Sequence, residues 1–235
     1  MKLIQKVKYY FLPGLVPTAL LVLFHTIFGE RWPSITILII IDMLVTIPLM
    51  LRLLSKGTGT AFGFRSVRLI FQSQNCVFFR TSLITIIFSL FWAIGAFIIL
   101  RPIGEFIHEA VFSWIPPWFT PMLDPQLPNK WMLKFTWFLL ITFSIVMPLS
   151  EEIYFRGFLL PREKYKDWRA PLVNTVLFCA YHIWSPWLIL TRVIATFPMY
   201  YFVWKYRNIS LSIIPHILLN LVGDVILMYP LIFNQ

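Results

Sequence analysis

Long apolar runs alternate with short polar and basic breaks along the whole chain. A helix needs about 20 mostly apolar residues to cross the hydrocarbon core of a bilayer. Runs of that size fall at 10–28, 35–54, 82–100, 133–159, 170–186, 188–205 and 209–231. The pattern predicts an all-α fold: a polytopic transmembrane helical bundle of about seven spans, or eight. Residues 55–81 read as a basic loop holding an interfacial amphipathic helix. Residues 101–131 are rich in proline (Pro116, Pro117, Pro121, Pro125, Pro128) and tryptophan (Trp114, Trp118, Trp131), a mixture suited to a membrane-surface loop with aromatic anchors. The N-terminus is basic (Lys2, Lys6, Lys8) and then apolar, like a signal peptide. No small-x-small cleavage site follows and the apolar run is long, so it is expected as a retained first span. With no internal repeat, the chain 1–235 reads as one integral membrane domain. Residues 1–130 supply N-terminal spans and interfacial loops, and 131–231 carry the candidate chemistry.

Composition agrees with this plan. Hydrophobic residues make up 59% of the chain and charged residues 13%, against about 25% charged in a soluble domain. A net charge of +10 would suggest a nucleic-acid partner in a soluble protein. The placement of the charges says otherwise. With the N-terminus cytosolic, the inner segments hold fourteen basic residues (Lys2, Lys6, Lys8, Arg52, Lys56, Arg65, Arg68, Arg80, Arg162, Lys164, Lys166, Arg169, Lys205, Arg207) and the outer segments four (Arg31, Arg101, Lys130, Lys134). That asymmetry is the positive-inside signature. It removes the case for nucleic acid, leaves membrane lipids as the surroundings and puts the chain in a cell membrane. Cys76 and Cys179 make no disulfide framework and read as free thiols.

Ionisable residues inside the spans are costly, roughly 2.5–3.5 kcal/mol each on insertion scales. They are His25, Asp42, Glu151, Glu152, Arg156, His182, Arg192, His216 and Asp224. For His25, Asp42 and Asp224 the plainer reading is a satisfied interior hydrogen bond. Arg192 is expected to snorkel to the outer interface or pair with an acid. His108, near Glu105 and Glu109, reads as part of a solvated helix face rather than a metal site.

The remaining set converges. Glu152 and Arg156 are four apart and can pair along a helix. Glu151 is then free to face elsewhere, about 100° round the helix. Phe178 with His182, and His216 with Asn220, repeat the same spacing on two other spans. At 1.5 Å rise per residue, Glu151 lies roughly 12 Å from the cytosolic end of its span, His182 roughly 18 Å, His216 roughly 10 Å and Asn220 roughly 16 Å. One layer therefore holds an acid, two imidazoles and a carboxamide. A carboxylate in apolar surroundings can act as a general base. Glu151 and His182 could hold and deprotonate water, and His216 and Asn220 could stabilise an oxyanion. Pro148, one turn before Glu151, removes a backbone hydrogen bond and could kink or widen the helix. Glu151, His182 and His216 could also ligate zinc, although the asparagine is a poor zinc ligand and a good oxyanion donor.

These residues carry a resemblance. Glu151-Glu152-Ile-Tyr-Phe-Arg156 is similar to the EExxxR motif of the CPBP family, the CAAX proteases and bacteriocin-processing enzymes, also called Abi. Phe178 to His182 resembles its FxxxH motif, and His216 to Asn220 its HxxxN motif. The resemblance covers about residues 131–231. It implies an intramembrane glutamate protease without a cofactor, acting on a peptide or protein substrate that is prenylated in the eukaryotic relatives. It further implies that Glu151 activates water with His182, that His216 and Asn220 form the oxyanion hole, and that Glu152, Arg156 and Phe178 support the site. A bacterial or archaeal plasma membrane suits the short chain. Two other readings compete: a non-catalytic self-immunity or regulatory protein of the same fold, and a proton-coupled transporter using Glu151, His182 and Asp224.

Overall fold

A computed structural model describes residues 3–29, 31–61, 64–120 and 129–233. The chain forms the expected all-helical bundle. Six helices in the described residues are long and apolar enough to cross a membrane. The first span is α1 (Leu3–Phe28). The second combines α2 (Ser34–Ile41), a π-helical turn at Asp42–Thr46 and α3 (Ile47–Thr58), which ends at Gly59 in the left-handed conformation, φ 67°. The short α4 (Phe64–Gln72) is the amphipathic helix expected in the basic loop. A third span, α5 (Phe79–Ile107), continues into a π-helical turn at His108–Phe112. The fourth is α6 (Lys130–Glu151), capped by the Asn129 side chain, which accepts the Met132 N–H at 2.9 Å. Then come α7 (Arg169–Tyr181), α8 (Ile189–Tyr206) and α9 (Ser210–Phe233).

Two departures from the expected pattern matter. First, helix extends past residue 100 in α5, through Pro102. The Arg101 Nε–Glu105 Oε1 pair at 2.7 Å supports that turn, and one proline removes only one backbone donor. The surface loop is correspondingly shorter, and its Pro121, Pro125 and Pro128 lie outside the described residues. Second, the run 170–186 is α-helical only over the 13 residues of α7. At 1.5 Å per residue that is about 20 Å, short of a core about 30 Å thick. The helix stops because the His182 Nδ1–H donates to the Phe178 carbonyl at 3.0 Å and Pro186 follows in a 3-10 turn. His182 therefore sits within the bundle rather than at its far face.

Apolar faces alone do not join helices in lipid, because lipid tails are as apolar as leucine. Polar ties do part of that work here. Thr36 and Thr136 hydroxyls meet at 2.7 Å between α2 and α6. The Ser144 hydroxyl donates to Asp224 between α6 and α9. The Trp92 indole N–H donates to the Ile194 carbonyl at 2.9 Å between α5 and α8. At the basic end, Lys6 and Tyr10 of α1 each donate to buried Glu163 at 2.6 Å. At that end also, Asn75 and Arg207 share a backbone hydrogen bond of 2.9 Å. Ile70 of α4 packs on Gly157 nearby. Large side chains on α5, among them Phe91, Ile98 and Ile99, face outward, as a lipid-facing helix requires.

Candidate active site

Directly after Glu151 the helix widens into eight π-helical residues, Glu152–Leu159. The sequence placed a kink or widened turn at Pro148; the widening begins four residues later. π-segments of this kind cluster at functional sites. Here the widened register leaves both glutamates buried, at 4% and 0% exposure, and aims them at different partners.

Glu151 faces the two imidazoles. His182 Nε2 lies 3.9 Å from its Oε1, and His216 Nε2 lies 3.7 Å from its Oε2. The Tyr181 hydroxyl donates to Oε1. A carbonyl can only accept, so the bond from His182 Nδ1 to Phe178 fixes the proton on Nδ1. Nε2 of a neutral His182 is then a lone pair turned toward Glu151. Separations of 3.7–3.9 Å exceed a direct hydrogen bond and suit a bridge through one water oxygen.

Glu152 faces α9 and α8 instead. Its Oε1 accepts from His216 Nδ1 at 2.8 Å, and its Oε2 accepts from the Ser212 hydroxyl at 2.5 Å. Arg156 Nε stands 3.5 Å from Oε2, the expected pairing four residues on. The guanidinium lies between two rings, 3.2 Å from the Tyr200 centroid and 3.8 Å from that of Phe178. No guanidinium nitrogen has a hydrogen-bond partner among the described residues. Its charge is balanced by Glu152 and the two π-faces.

The structure thus brings Glu151, His182 and His216 together, with Glu152, Arg156 and Phe178 packed behind them. Asn220 is half-buried one turn beyond His216 on α9. No hydrogen bond joins it to the others, and helical register alone aligns it with the site. Among the described residues, no group of three or more His, Cys, Asp or Glu side chains is disposed to hold a metal ion. The other ionisable residues of the spans are engaged locally. Asp42 accepts from Thr46 at 2.7 Å, and His25 bonds Ser34 at 2.8 Å and stacks on Trp118. Arg192 neither pairs with an acid nor reaches away. It donates to the Ser185 carbonyl at 3.2 Å and hydroxyl at 2.8 Å, bracing the loop that follows His182.

Sequence reasoning missed Tyr181, Ser212, Tyr200 and the Ser185–Arg192 brace. Ser212 had a signal: it lies four residues before His216 on one face of α9. The others had none, because no spacing marks a partner that arrives from another helix.

Residues 133–222 match the Rce1-like family model. Its description is "Type II CAAX prenyl endopeptidase Rce1-like". The likeness read from the three motifs is borne out over this Rce1-like segment, which holds all seven candidate site residues. The match is to a family of membrane proteases. The UPF0177 protein YbdI of Lactococcus lactis subsp. lactis is 26% identical over 134 residues, 54% of this chain and 71% of that protein. No solved structure matches the chain.

Proposed function

We propose that this protein is an intramembrane endopeptidase that hydrolyses a peptide bond by water attack, with Glu151 as general base. One observation carries the reading: two imidazole Nε2 atoms face the two oxygens of a single buried carboxylate inside an Rce1-like segment. A water held between Glu151 and His182 gives a proton to Glu151 as its oxygen attacks the scissile carbonyl carbon. The oxygen of the tetrahedral intermediate takes hydrogen bonds from the Asn220 amide and from the protonated Nε2 of His216, whose positive charge Glu152 balances through Nδ1. Glu151 then returns its proton to the leaving amine, and the C–N bond breaks. The products are one carboxylic acid and one amine. The substrate is a peptide or protein reaching the site near the cytosolic membrane face. The description of the matching family supports including prenylated C-terminal peptides among the candidate substrates. No metal enters the scheme.

The test is cleavage of a farnesylated and an unmodified peptide of the CAAX type by purified full-length protein in lipid. Glu151→Gln is expected to lower kcat by about 10²–10⁴ while the protein stays folded, and a metal chelator is expected to leave wild-type turnover unchanged. Undiminished cleavage by the variant removes Glu151 as base. Activity lost to chelator and restored by zinc overturns the metal-free scheme. A cellular phenotype that survives Glu151→Gln returns the protein to a non-catalytic role.

A further inference from the structure

At the end of the bundle opposite the Lys6–Glu163 pair, a cavity of about 430 Å³ opens between α5 and the start of α8. Four of its lining residues follow one another along one side of the third span: Arg101 and Glu105, four apart on α5, then His108 and Glu109 in the π-helical turn that continues it. Phe97 lies one turn below them, and Trp187 forms the opposite wall. His108 meets the Trp187 ring edge-on at 4.4 Å. The cavity is thus apolar at its base and charged at its mouth.

Its level in the bilayer follows from α5 itself. Residues 81–100, between Arg80 and Arg101, carry no charge. Twenty residues rise about 30 Å, the thickness of the hydrocarbon core. Arg101 therefore stands at the second interface, where phosphates and amines of lipid headgroups lie, and Phe97 stands among the acyl chains.

The charge pattern selects among headgroups. Arg101 uses Nε to hold Glu105 at 2.7 Å, and the two terminal guanidinium amines have no other partner among the described residues. They suit a phosphate, which arginine binds in a bidentate manner. Glu109 and the second oxygen of Glu105 suit an ammonium. Two acids against one arginine disfavour a purely anionic headgroup. We propose that this cavity is a binding site for a zwitterionic phospholipid with a primary ammonium, a phosphoethanolamine headgroup, its phosphate on Arg101 and its amine between Glu105 and Glu109. None of the residues lining it belongs to the proposed catalytic set.

The experiment is native mass spectrometry of the full chain in detergent with equal amounts of phosphatidylethanolamine, phosphatidylcholine and phosphatidylglycerol of identical acyl chains. Phosphatidylethanolamine adducts are expected to exceed phosphatidylglycerol by about tenfold, the scale of one charge-assisted contact. Phosphatidylcholine, which keeps the phosphate and loses the N–H donors, is expected between them. Glu109→Gln should erase the preference without lowering total lipid bound, and Arg101→Gln should lower all three. Equal retention of the three lipids by the wild type overturns the proposal without any variant. So does a preference that survives Glu109→Gln together with Glu105→Gln.

Discussion

Adjacent glutamates with opposite surroundings decide the chemistry at the residue scale. Glu151 has one hydroxyl donor, from Tyr181, and two imidazoles held just beyond hydrogen-bond length. Glu152 has Ser212, His216 and Arg156. Tyr181→Phe removes the donor to Glu151 while keeping the ring. That bond fixes the orientation of Glu151, and loss of alignment at a reacting group can cost up to about 10²-fold, so peptide cleavage should slow by about tenfold, read as kcat in the reconstituted assay. Arg156→Gln removes one of the two cationic partners of buried Glu152 and leaves it only His216 and the Ser212 hydroxyl. Breaking such a pair costs about 3–5 kcal/mol, visible as a lowered denaturation midpoint in detergent. The double change Glu152→Gln with Arg156→Gln should recover much of that stability and yet remain poorly active, because His216 loses the carboxylate that orients it.

Among the elements, α7 and α1 set the depth and tightness of the site. By stopping at Tyr181, α7 leaves His182 at the level of Glu151. Helix α1 presses on that same terminus: a Cβ on Gly14 would overlap the Tyr181 carbonyl oxygen. Gly14→Ala must push α1 away from α7, at a cost of about 1–3 kcal/mol, and disturb the residue that hydrogen-bonds Glu151. Gly95→Ala is the control, since no atom lies within 4 Å of a Cβ there. Thermal unfolding and turnover measured together should both fall for Gly14→Ala and stay near wild type for Gly95→Ala.

For the whole molecule, the basic end is one physical surface. Hydrogen bonds gather the loop at 73–75 with residues 207–209, and an ion pair joins Lys6 to Glu163. These contacts put together segments that the charge count assigned to the cytosol. Cys76 is exposed on this surface, and Cys179 is buried. A membrane-impermeant maleimide should therefore modify Cys76 in inside-out vesicles and spare right-side-out ones, with Cys179 silent in both. Modification of intact right-side-out vesicles would invert the orientation.

Much of this architecture was legible along the chain. Apolar run length marks a span, because every backbone polar group in lipid must be satisfied within its own helix. Lysine and arginine placement orients the bundle. A rise of 1.5 Å and 3.6 residues per turn pair Glu152 with Arg156 and align Phe178 with His182. Contacts between helices lay beyond that reach. His216 was read as an oxyanion donor, and nothing along α9 indicated that Glu152 would hold its Nδ1. Tyr181 on Glu151, the rings of Phe178 and Tyr200 around Arg156, and the early end of α7 were equally silent. Each depends on how one helix is rotated and offset against another. In lipid the apolar pattern does not specify that rotation, since leucine packs as well on an acyl chain as on a neighbouring helix. The sequence by itself determined which helices form, which end is basic and which side chains share a face. Tertiary packing alone decided which of those faces meet, and so which glutamate received the two imidazole nitrogens.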